Sequence, residues 1–176
     1  MKKELRFSGS GGQGVITAAI IYAEAAVDEG KEAVQSQSYG PEARGGASKA
    51  EVILSDYKIY HPHITSPDVV LAMTQKAADK YYADLKEKGL LIIDEDLVPN
   101  APNFKNIVKI PITKIAAEQV GAALYSNIVA LGAVTRLTDF LSFDAVKKAV
   151  ENRVPKHTID ANVKALQLGW DAAKVW

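Results

Sequence analysis

Four glycines within six positions, Gly9 to Gly14, are the first residues of this sequence whose types and spacing suggest chemistry. They lie in the stretch SGSGGQGV, and Gly9, Gly11 and Gly14 formally satisfy the pattern G-x-G-x-x-G. In such a loop at the start of a helix, backbone N–H groups can donate to an anion such as a phosphate. Gln13, inside the loop, carries an amide that can donate and accept hydrogen bonds at the same time.

The loop matches neither of the two common nucleotide-binding motifs. The dinucleotide fingerprint expects an acidic residue about 20 positions further on, at the end of the second strand, to hold a ribose hydroxyl. That strand reads AVQSQSYG here and contains no acidic residue. The phosphate loop of ATPases needs Lys and then Ser or Thr after its last glycine, where this chain has Val15 and Ile16. The glycines therefore predict an anion site, a close contact with the backbone, or only a tight strand-to-helix turn.

A second stretch rich in glycine, SYGPEARGGAS, also carries residues that could bind a ligand. The guanidinium of Arg44 suits a carboxylate or phosphate, which it can bind through two parallel hydrogen bonds. Gly45 would let a ligand or a partner backbone approach closely. The alternative is a surface turn with a local pair between Glu42 and Arg44. The candidate residues of this loop are Tyr39, Gly40, Glu42, Arg44 and Gly45.

The elements that must position these loops alternate between strands and helices over the first two thirds of the chain. A short alternating run precedes the first loop, and apolar residues at helical spacing follow it as far as Gly30. PDVVLAM and LLIID are typical of strands buried on both faces, and NIVKIPI predicts a shorter strand. Thr74 predicts the cap of a helix over QKAADKYYADLKEK that Gly89 ends. KAEVILS and YKIYH alternate like strands and predict a hairpin with Asp56 at its turn.

The last third of the chain predicts four helices. Ser142 is the expected cap of the third of them, and Pro155 separates the last two. The predicted helices span roughly residues 115–124, 127–140, 143–152 and 158–175.

This order of elements predicts an α/β fold with an open, mostly parallel sheet, flanking helices and a helical C-terminal third. The antiparallel hairpin can add to the edge of that sheet. Since ligands of open α/β sheets bind at the carboxyl ends of the strands, we expect both loops at the same edge. With no repeat and no linker, residues 1–176 predict a single domain.

Composition excludes several classes of function. Lys and Arg total 21 and Asp and Glu total 21, so no net charge attracts nucleic acid or an anionic membrane. The chain has no cysteine, which excludes disulfides, zinc–thiolate sites and a cysteine-ligated iron–sulfur cluster within it. The N-terminus resembles no signal peptide, and the longest apolar stretch, VITAAIIYA, is about half of a membrane span. A cytoplasmic protein is the expectation.

Other polar residues carry weaker signals. His61 and His63 could bind a metal ion as a pair, but no further ligands cluster with them, so we expect a loop and no metal site. The acidic run from Asp94 to Asp96 predicts a solvated group or a cap. Asn127 could cap its helix or bond to a neighbouring loop. No Ser–His–Asp or Cys–His set is present, so no catalytic residue is assigned.

Five motifs together resemble one known family over essentially the whole chain. SGSGGQGV, SYGPEARGGAS and SPDVVLAM, followed by SNIVALGAV and ANVKALQLGW, closely resemble the gamma subunits of 2-oxoacid:ferredoxin oxidoreductases. The motif SYGPEARGG looks most like that of the 2-oxoglutarate or branched-chain 2-oxoacid branch. The pyruvate branch has Glu-Arg-Arg in place of Glu-Ala-Arg.

The resemblance implies a subunit of an enzyme that oxidatively decarboxylates a 2-oxoacid to acyl-CoA and CO2 and reduces ferredoxin. In that family thiamine diphosphate, with Mg2+, is held mainly by the alpha and beta subunits, and iron–sulfur clusters belong to the beta or a ferredoxin-like delta subunit. The gamma subunit is implicated in the coenzyme A side of the site and in assembly. The expectation is therefore that this chain binds no cofactor alone and that its partners are those subunits and, through them, ferredoxin.

The family motifs fall on both loops. Gly11, Gly12, Gln13 and Gly14 match the first motif, and the candidate residues of the second loop match the other. Asn127, in SNIVALGAV, is also a family-matched position and is a secondary candidate. On this resemblance the first loop offers backbone donors, and Arg44 meets either a coenzyme A phosphate or a carboxylate of a partner subunit. Two other readings stay open, namely a free-standing Rossmann-like nucleotide-binding enzyme and a purely structural subunit.

Overall fold

A single six-stranded sheet organises the protein, which the computed structural model describes over residues 1–38 and 46–173. The strands lie in the order β2-β3-β1-β4-β5-β6. Their bounds are Lys2–Ser10 for β1, Glu32–Gln37 for β2, Ala47–Ser55 for β3, Val69–Ala72 for β4, Leu90–Asp94 for β5 and Ile107–Ile110 for β6.

Strands β1, β4, β5 and β6 pair in parallel. Strand β3 runs antiparallel between β1 and β2, so β2 points in the same direction as β1. The predicted α/β class with a mostly parallel sheet is confirmed.

An antiparallel hairpin lies at the edge of the sheet, but β2 and β3 form it. The prediction that YKIYH is the partner of KAEVILS was wrong, because residues 57–61 form no strand. Both sides of β3 are already occupied, by β2 and by β1. Tyr57 and Tyr60 are 74% and 75% exposed and no residue of 57–61 is buried, so the pattern of YKIYH marks no buried face.

Helices cover both faces of the sheet. Five of them contribute to the larger core with β1 and β3 on one face, and the short α2 covers the other face. The helices are α1 (Val15–Asp28), α2 (Gln75–Tyr81), α3 (Ile112–Ile115), α4 (Ser126–Thr138), α5 (Phe143–Arg153) and α6 (Ile159–Ala172). None of the helices in the described ranges combines the length and the apolar character that crossing a membrane requires.

Two predicted helix caps are confirmed. The Thr74 hydroxyl accepts a hydrogen bond from Ala77 N at 3.3 Å at the start of α2. The Ser142 hydroxyl accepts one from Ala145 N at 3.1 Å at the start of α5.

Helix α2 is shorter than the sequence predicts. It ends at Tyr81, whose carbonyl oxygen accepts a hydrogen bond from Arg6 Nη1 at 2.9 Å. Leu85 N donates instead to Tyr82 O, at 3.0 Å, in a turn. The helix therefore ends where a buried arginine on β1 binds its last carbonyl group. Local sequence patterns do not reveal this long-range contact.

The predicted helix over 115–124 is also interrupted. Helix α3 continues into a π-helical turn at Ala116–Val120, and a 3-10 turn follows at Ala123–Tyr125. Between them Gly121 has φ of 119°, which ends the helical path.

Candidate functional site

The first glycine loop follows β1 at the point where the connections of the sheet change side. From β1 the chain passes through α1 to β2 on one side of the sheet. On the other side, β4 leads to β5 and β6. Ligands of open α/β sheets bind outside the carboxyl ends of the strands at such a switch point. The loop therefore lies where this fold most favours a site.

The backbone of the loop requires glycine at two positions. Gly12 has φ of 89° and Gly14 has φ of 78°, in the left-handed region. Gly14 is also the N-cap residue of α1. A Cβ atom at Gly12 would meet no atom within 4 Å in the described structure, so none of the described residues crowds Gly12.

Two amide side chains of the protein itself fill the space beside the other glycines. Gln13 Oε1 accepts a hydrogen bond from Ser10 N at 2.7 Å and occupies the place that a Cβ atom at Gly9 would need. Asn127 Nδ2 donates to Gly14 O at 3.2 Å, and a Cβ atom at Gly14 would lie 2.5 Å from that nitrogen. Gly9 and Gly14 thus accommodate the amides of Gln13 and Asn127.

Asn127 therefore bonds to the neighbouring loop, which is one of its two predicted roles. Its Oδ1 accepts from Ile128 N at 3.0 Å, so both ends of the amide are engaged near the start of α4. The start of α4 and the start of α1 consequently meet at the same loop.

A cavity of about 320 Å³ opens beside the loop. Helix α1 has no acidic residue in its first turn and no side-chain acceptor at its N-cap. In the described part of the chain, the N–H groups at the start of α1 are therefore available to an external acceptor. The cavity is lined by Ser10, Gly11, Gly12, Gly14, Val15, Ile16 and Ser48.

Sequence reasoning missed Ser48, which is 4% exposed and lines this cavity from β3. Its position as the last residue of the stretch SYGPEARGGAS was the available signal. Val15 and Ile16 appeared only as the residues that break the ATPase motif, yet they supply the apolar side of the cavity. The lining thus combines backbone N–H donors with apolar side chains.

The second loop begins and ends at the same edge of the sheet. Strand β2 ends at Gln37, and Ser38 N donates to Lys49 O at 3.2 Å. Strand β3 begins at Ala47, whose partner on β1 is Ser10. The candidate residues of this loop, namely Tyr39, Gly40, Glu42, Arg44 and Gly45, lie outside the described residues, and their roles stay predictions.

The acidic run that begins at the last residue of β5 has a structural role at Asp94. This side chain is completely buried, and its Oδ2 accepts from Thr113 N at 2.9 Å and from Thr113 Oγ1 at 2.6 Å. Its Oδ1 accepts from Asp96 N at 3.1 Å. Asp94 therefore caps the chain that follows β5 and the start of α3. A cap was one of the two roles predicted for the acidic run. Within residues 1–38 and 46–173, no group of three or more His, Asp or Glu side chains could hold a metal ion.

The match to a known protein family decides what kind of chain this is. Residues 4–172 match the family described as pyruvate ferredoxin/flavodoxin oxidoreductase. The chain belongs to this family. It resembles the gamma-type subunits within it, as its motifs indicated.

Similar proteins place the chain more closely within the family. It is 48% identical to the 2-oxoglutarate synthase subunit KorC of Methanocaldococcus jannaschii, over 99% of this chain and 95% of the relative. The crystal structure of the gamma subunit of a keto/oxoacid ferredoxin oxidoreductase from Geobacter sulfurreducens has a TM-score of 0.90 and 50% identity, and the match covers 99% of both chains.

A more distant relative is longer. The ketoisovalerate oxidoreductase subunit VorA of Methanothermobacter thermautotrophicus is 30% identical over 97% of this chain, but the match covers only 36% of VorA. A unit like this one is therefore joined to further chain in that relative.

Proposed function

We propose that this chain is the gamma-type subunit of a multi-subunit 2-oxoacid:ferredoxin oxidoreductase. The assembled enzyme would convert a 2-oxoacid and coenzyme A to acyl-CoA and CO2 and pass the electrons to ferredoxin. The observation that carries this proposal is the 48% identity to a 2-oxoglutarate synthase subunit over nearly the whole of both chains. The identity to the ketoisovalerate relative is 30%, which favours 2-oxoglutarate as the acid.

Within the complex, the first glycine loop is the proposed contribution to the coenzyme A side. Coenzyme A combines phosphates with a long, flexible arm. The N–H groups at the start of α1, which have no acceptor among the described residues, fit a phosphate, and Val15 and Ile16 fit the less polar arm. Arg44, from the second loop, would add a charged partner for a phosphate.

The other cofactors are assigned to the partner subunits. Thiamine diphosphate, with Mg2+, supplies the carbanion chemistry of decarboxylation, and iron–sulfur clusters carry the electrons. This chain has no cysteine to ligate a cluster. The proposed partners are accordingly alpha and beta subunits, with a ferredoxin-like delta subunit as a further candidate, and the proposed location is the cytoplasm.

The first test is purification of the tagged chain from its native cell extract. The eluate is assayed for coenzyme A-dependent reduction of ferredoxin or viologen with 2-oxoglutarate, branched-chain 2-oxoacids and pyruvate. We expect larger, cysteine-bearing subunits to co-purify and 2-oxoglutarate to be the preferred acid. A chain that is recovered alone and binds a nucleotide by itself would contradict the proposal and favour a free-standing enzyme.

The role of Arg44 is tested in the assembled enzyme. We expect Arg44→Ala to raise the KM for coenzyme A while thiamine-dependent decarboxylation survives. Loss of a charge-assisted hydrogen bond costs about 1.5–3 kcal/mol, or roughly ten- to a hundredfold in KM. Steady-state kinetics at varied coenzyme A concentration measure the effect.

Two further variants make the Arg44 test specific. Arg44→Lys keeps the charge but loses the forked donors, so an intermediate KM is expected. Lys147→Ala removes an exposed cation that pairs with Glu151 on α5, and should leave the KM unchanged. Unchanged coenzyme A kinetics in Arg44→Ala would refute the phosphate role and favour a purely structural use of the loop.

A further inference from the structure

Helix α1 is apolar on two sides, although one of them faces outward. Its inner side is buried, including Ala19, Ile21 and Tyr22. On its outer side a row of apolar residues recurs at spacings of four, three and four. We call this row the outer stripe, and it consists of Ile16, Ile20, Ala23 and Val27.

The outer stripe is unusual for a surface helix. Val27 is 58% exposed, and the three other members are partly buried, with Ile16 and Ala23 packed at the margin of the main core. A surface helix normally turns polar residues outward, whereas a helix that is apolar all round is buried. The stripe therefore indicates a second packing surface besides the core.

The stripe forms one wall of a groove of about 360 Å³. Ile20, Ala23 and Val27 line it from α1, and Ala33 lines it from β2. Strand β2 is the last strand of the sheet on this side in the described structure. The groove thus offers apolar side chains next to a sheet edge.

The charges beside the groove favour a basic partner. The charged residues of helix α1 are all acidic. Two of them, Glu24 and Asp28, line the groove. Glu24 forms an ion pair with Arg153 at 3.1 Å. Asp28, and Glu32 at the start of β2, have no basic partner within the described residues. A second copy of the chain would bring acidic residues together, whereas a partner with Lys or Arg at its rim would complement them.

We propose that the outer stripe docks another subunit of the same oxidoreductase, through an apolar segment rimmed by Lys or Arg. This inference rests on the proposed function. It is consistent with the longer VorA relative, in which the matching unit makes up 36% of the chain and is joined to further polypeptide.

The position of the stripe links this interface to the ligand site. Ile16, at its first end, also lines the cavity beside Gly11 and Gly12. A subunit seated on the stripe therefore borders that cavity and can close its outer side. The glycine loop would then serve both ligand binding and assembly.

The test replaces an exposed stripe residue with a charged one in the assembled enzyme. Val27→Glu is co-expressed with the partner subunits, and its affinity for them is compared with the wild-type chain by titration of a tagged chain. We expect at least about a tenfold loss of affinity, because a charge would be buried against the apolar segment of the partner. Tyr60→Glu is the matched control, because Tyr60 is 75% exposed on the irregular segment after β3. It should assemble like the wild-type chain.

A second variant and a folding control separate the outcomes. Asp28→Lys reverses the charge at the rim and should weaken assembly, more strongly at low than at high ionic strength. Thermal unfolding of each isolated full-length variant checks that the fold is retained. The proposal would be overturned if a folded Val27→Glu chain bound the partner subunits with wild-type affinity. It would also be overturned if the wild-type chain formed a homodimer that Val27→Glu dissociates. If even the wild-type chain captures no partner subunit, the proposed function itself fails.

Discussion

At the scale of single residues, the first glycine loop contains two kinds of glycine. Gly12 and Gly14 both have a positive φ, so an alanine at either position pays about 1–2 kcal/mol for the left-handed conformation. At Gly14 a Cβ atom would also lie 2.5 Å from Asn127 Nδ2, whereas at Gly12 it would meet no described atom within 4 Å. We expect Gly14→Ala to lower the free energy of unfolding by at least about 1 kcal/mol more than Gly12→Ala, as urea unfolding would measure.

A double-mutant cycle identifies the cause of that difference. Removing the amide in Asn127→Ala gives a Cβ atom at Gly14 room, so the double variant Gly14→Ala/Asn127→Ala should be less destabilised than the sum of the two single variants. Equal costs at Gly12 and Gly14, or strict additivity in the cycle, would mean that Asn127 does not shape the loop.

The sequence predicts this loop but not the reason for each of its glycines. Spacing alone left open whether a phosphate, a backbone or only a turn requires them. The atom that approaches Gly14 belongs to Asn127, more than a hundred positions further along the chain, and no local pattern links the two. The family motif makes Asn127 a secondary candidate, and its long-range contact with Gly14 gives the physical reason for an amide at this position.

At the scale of elements, helices α4 and α6 cross through facing glycines. A Cβ atom at Gly169 would fall on Val129 O, and one at Gly132 would fall on Leu166 O. Alanine normally stabilises a helix interior by about 1 kcal/mol relative to glycine. Here we expect Gly169→Ala to destabilise the protein by about 1–3 kcal/mol, because the helices must move apart. Denaturant unfolding gives the sign directly.

The exposed residue Lys164, on the same helix, supplies the comparison for that prediction. Lys164→Ala should change the free energy of unfolding by no more than about 0.5 kcal/mol. A Gly169→Ala protein that is more stable than the wild type would show that the two helices are not held at this distance.

Elements with strong periodicity were predicted well, and those that depend on distant partners were not. The boundaries of α1 follow from Gly14 and Gly30, which are local signals. The hairpin was assigned to the wrong pair of strands, since alternation cannot tell that β3 is already paired on both sides. The early end of α2 depends on Arg6, which lies 75 positions before Tyr81.

At the scale of the whole molecule, Arg6 joins three separate parts of the fold. It lies on β1 and is 4% exposed. Its Nε donates to Glu51 Oε2 on β3 at 2.9 Å, and its Nη2 donates to Asp84 Oδ2, beyond α2, at 2.9 Å. The guanidinium thus fixes the segment after α2 to the middle of the sheet. A buried cation of this kind depends on its carboxylate partners.

The pH dependence of stability should reveal this contact. Burial alone would raise the pKa of Asp84, but the hydrogen bonds and charge of Arg6 outweigh it and hold that pKa below its ordinary value. The unfolded chain therefore takes up a proton on Asp84 at higher pH than the folded protein does. The stabilisation is complete above the ordinary aspartate pKa of about 3.9 and is lost as the pH falls through the lower value of the folded state.

We expect Asp84→Asn to be less stable than the wild type at pH 7 and the difference to shrink near pH 3. The side chain of Asp84 is 42% exposed, so solvent screening limits the difference at pH 7 to about 1 kcal/mol or less. Urea unfolding at both pH values measures it. Glu87→Gln, an exposed residue of the same segment without an ionic partner in the described structure, should follow the wild type at both. A constant difference between Asp84→Asn and wild type at the two pH values would show that the contact with Arg6 does not depend on the charge of Asp84.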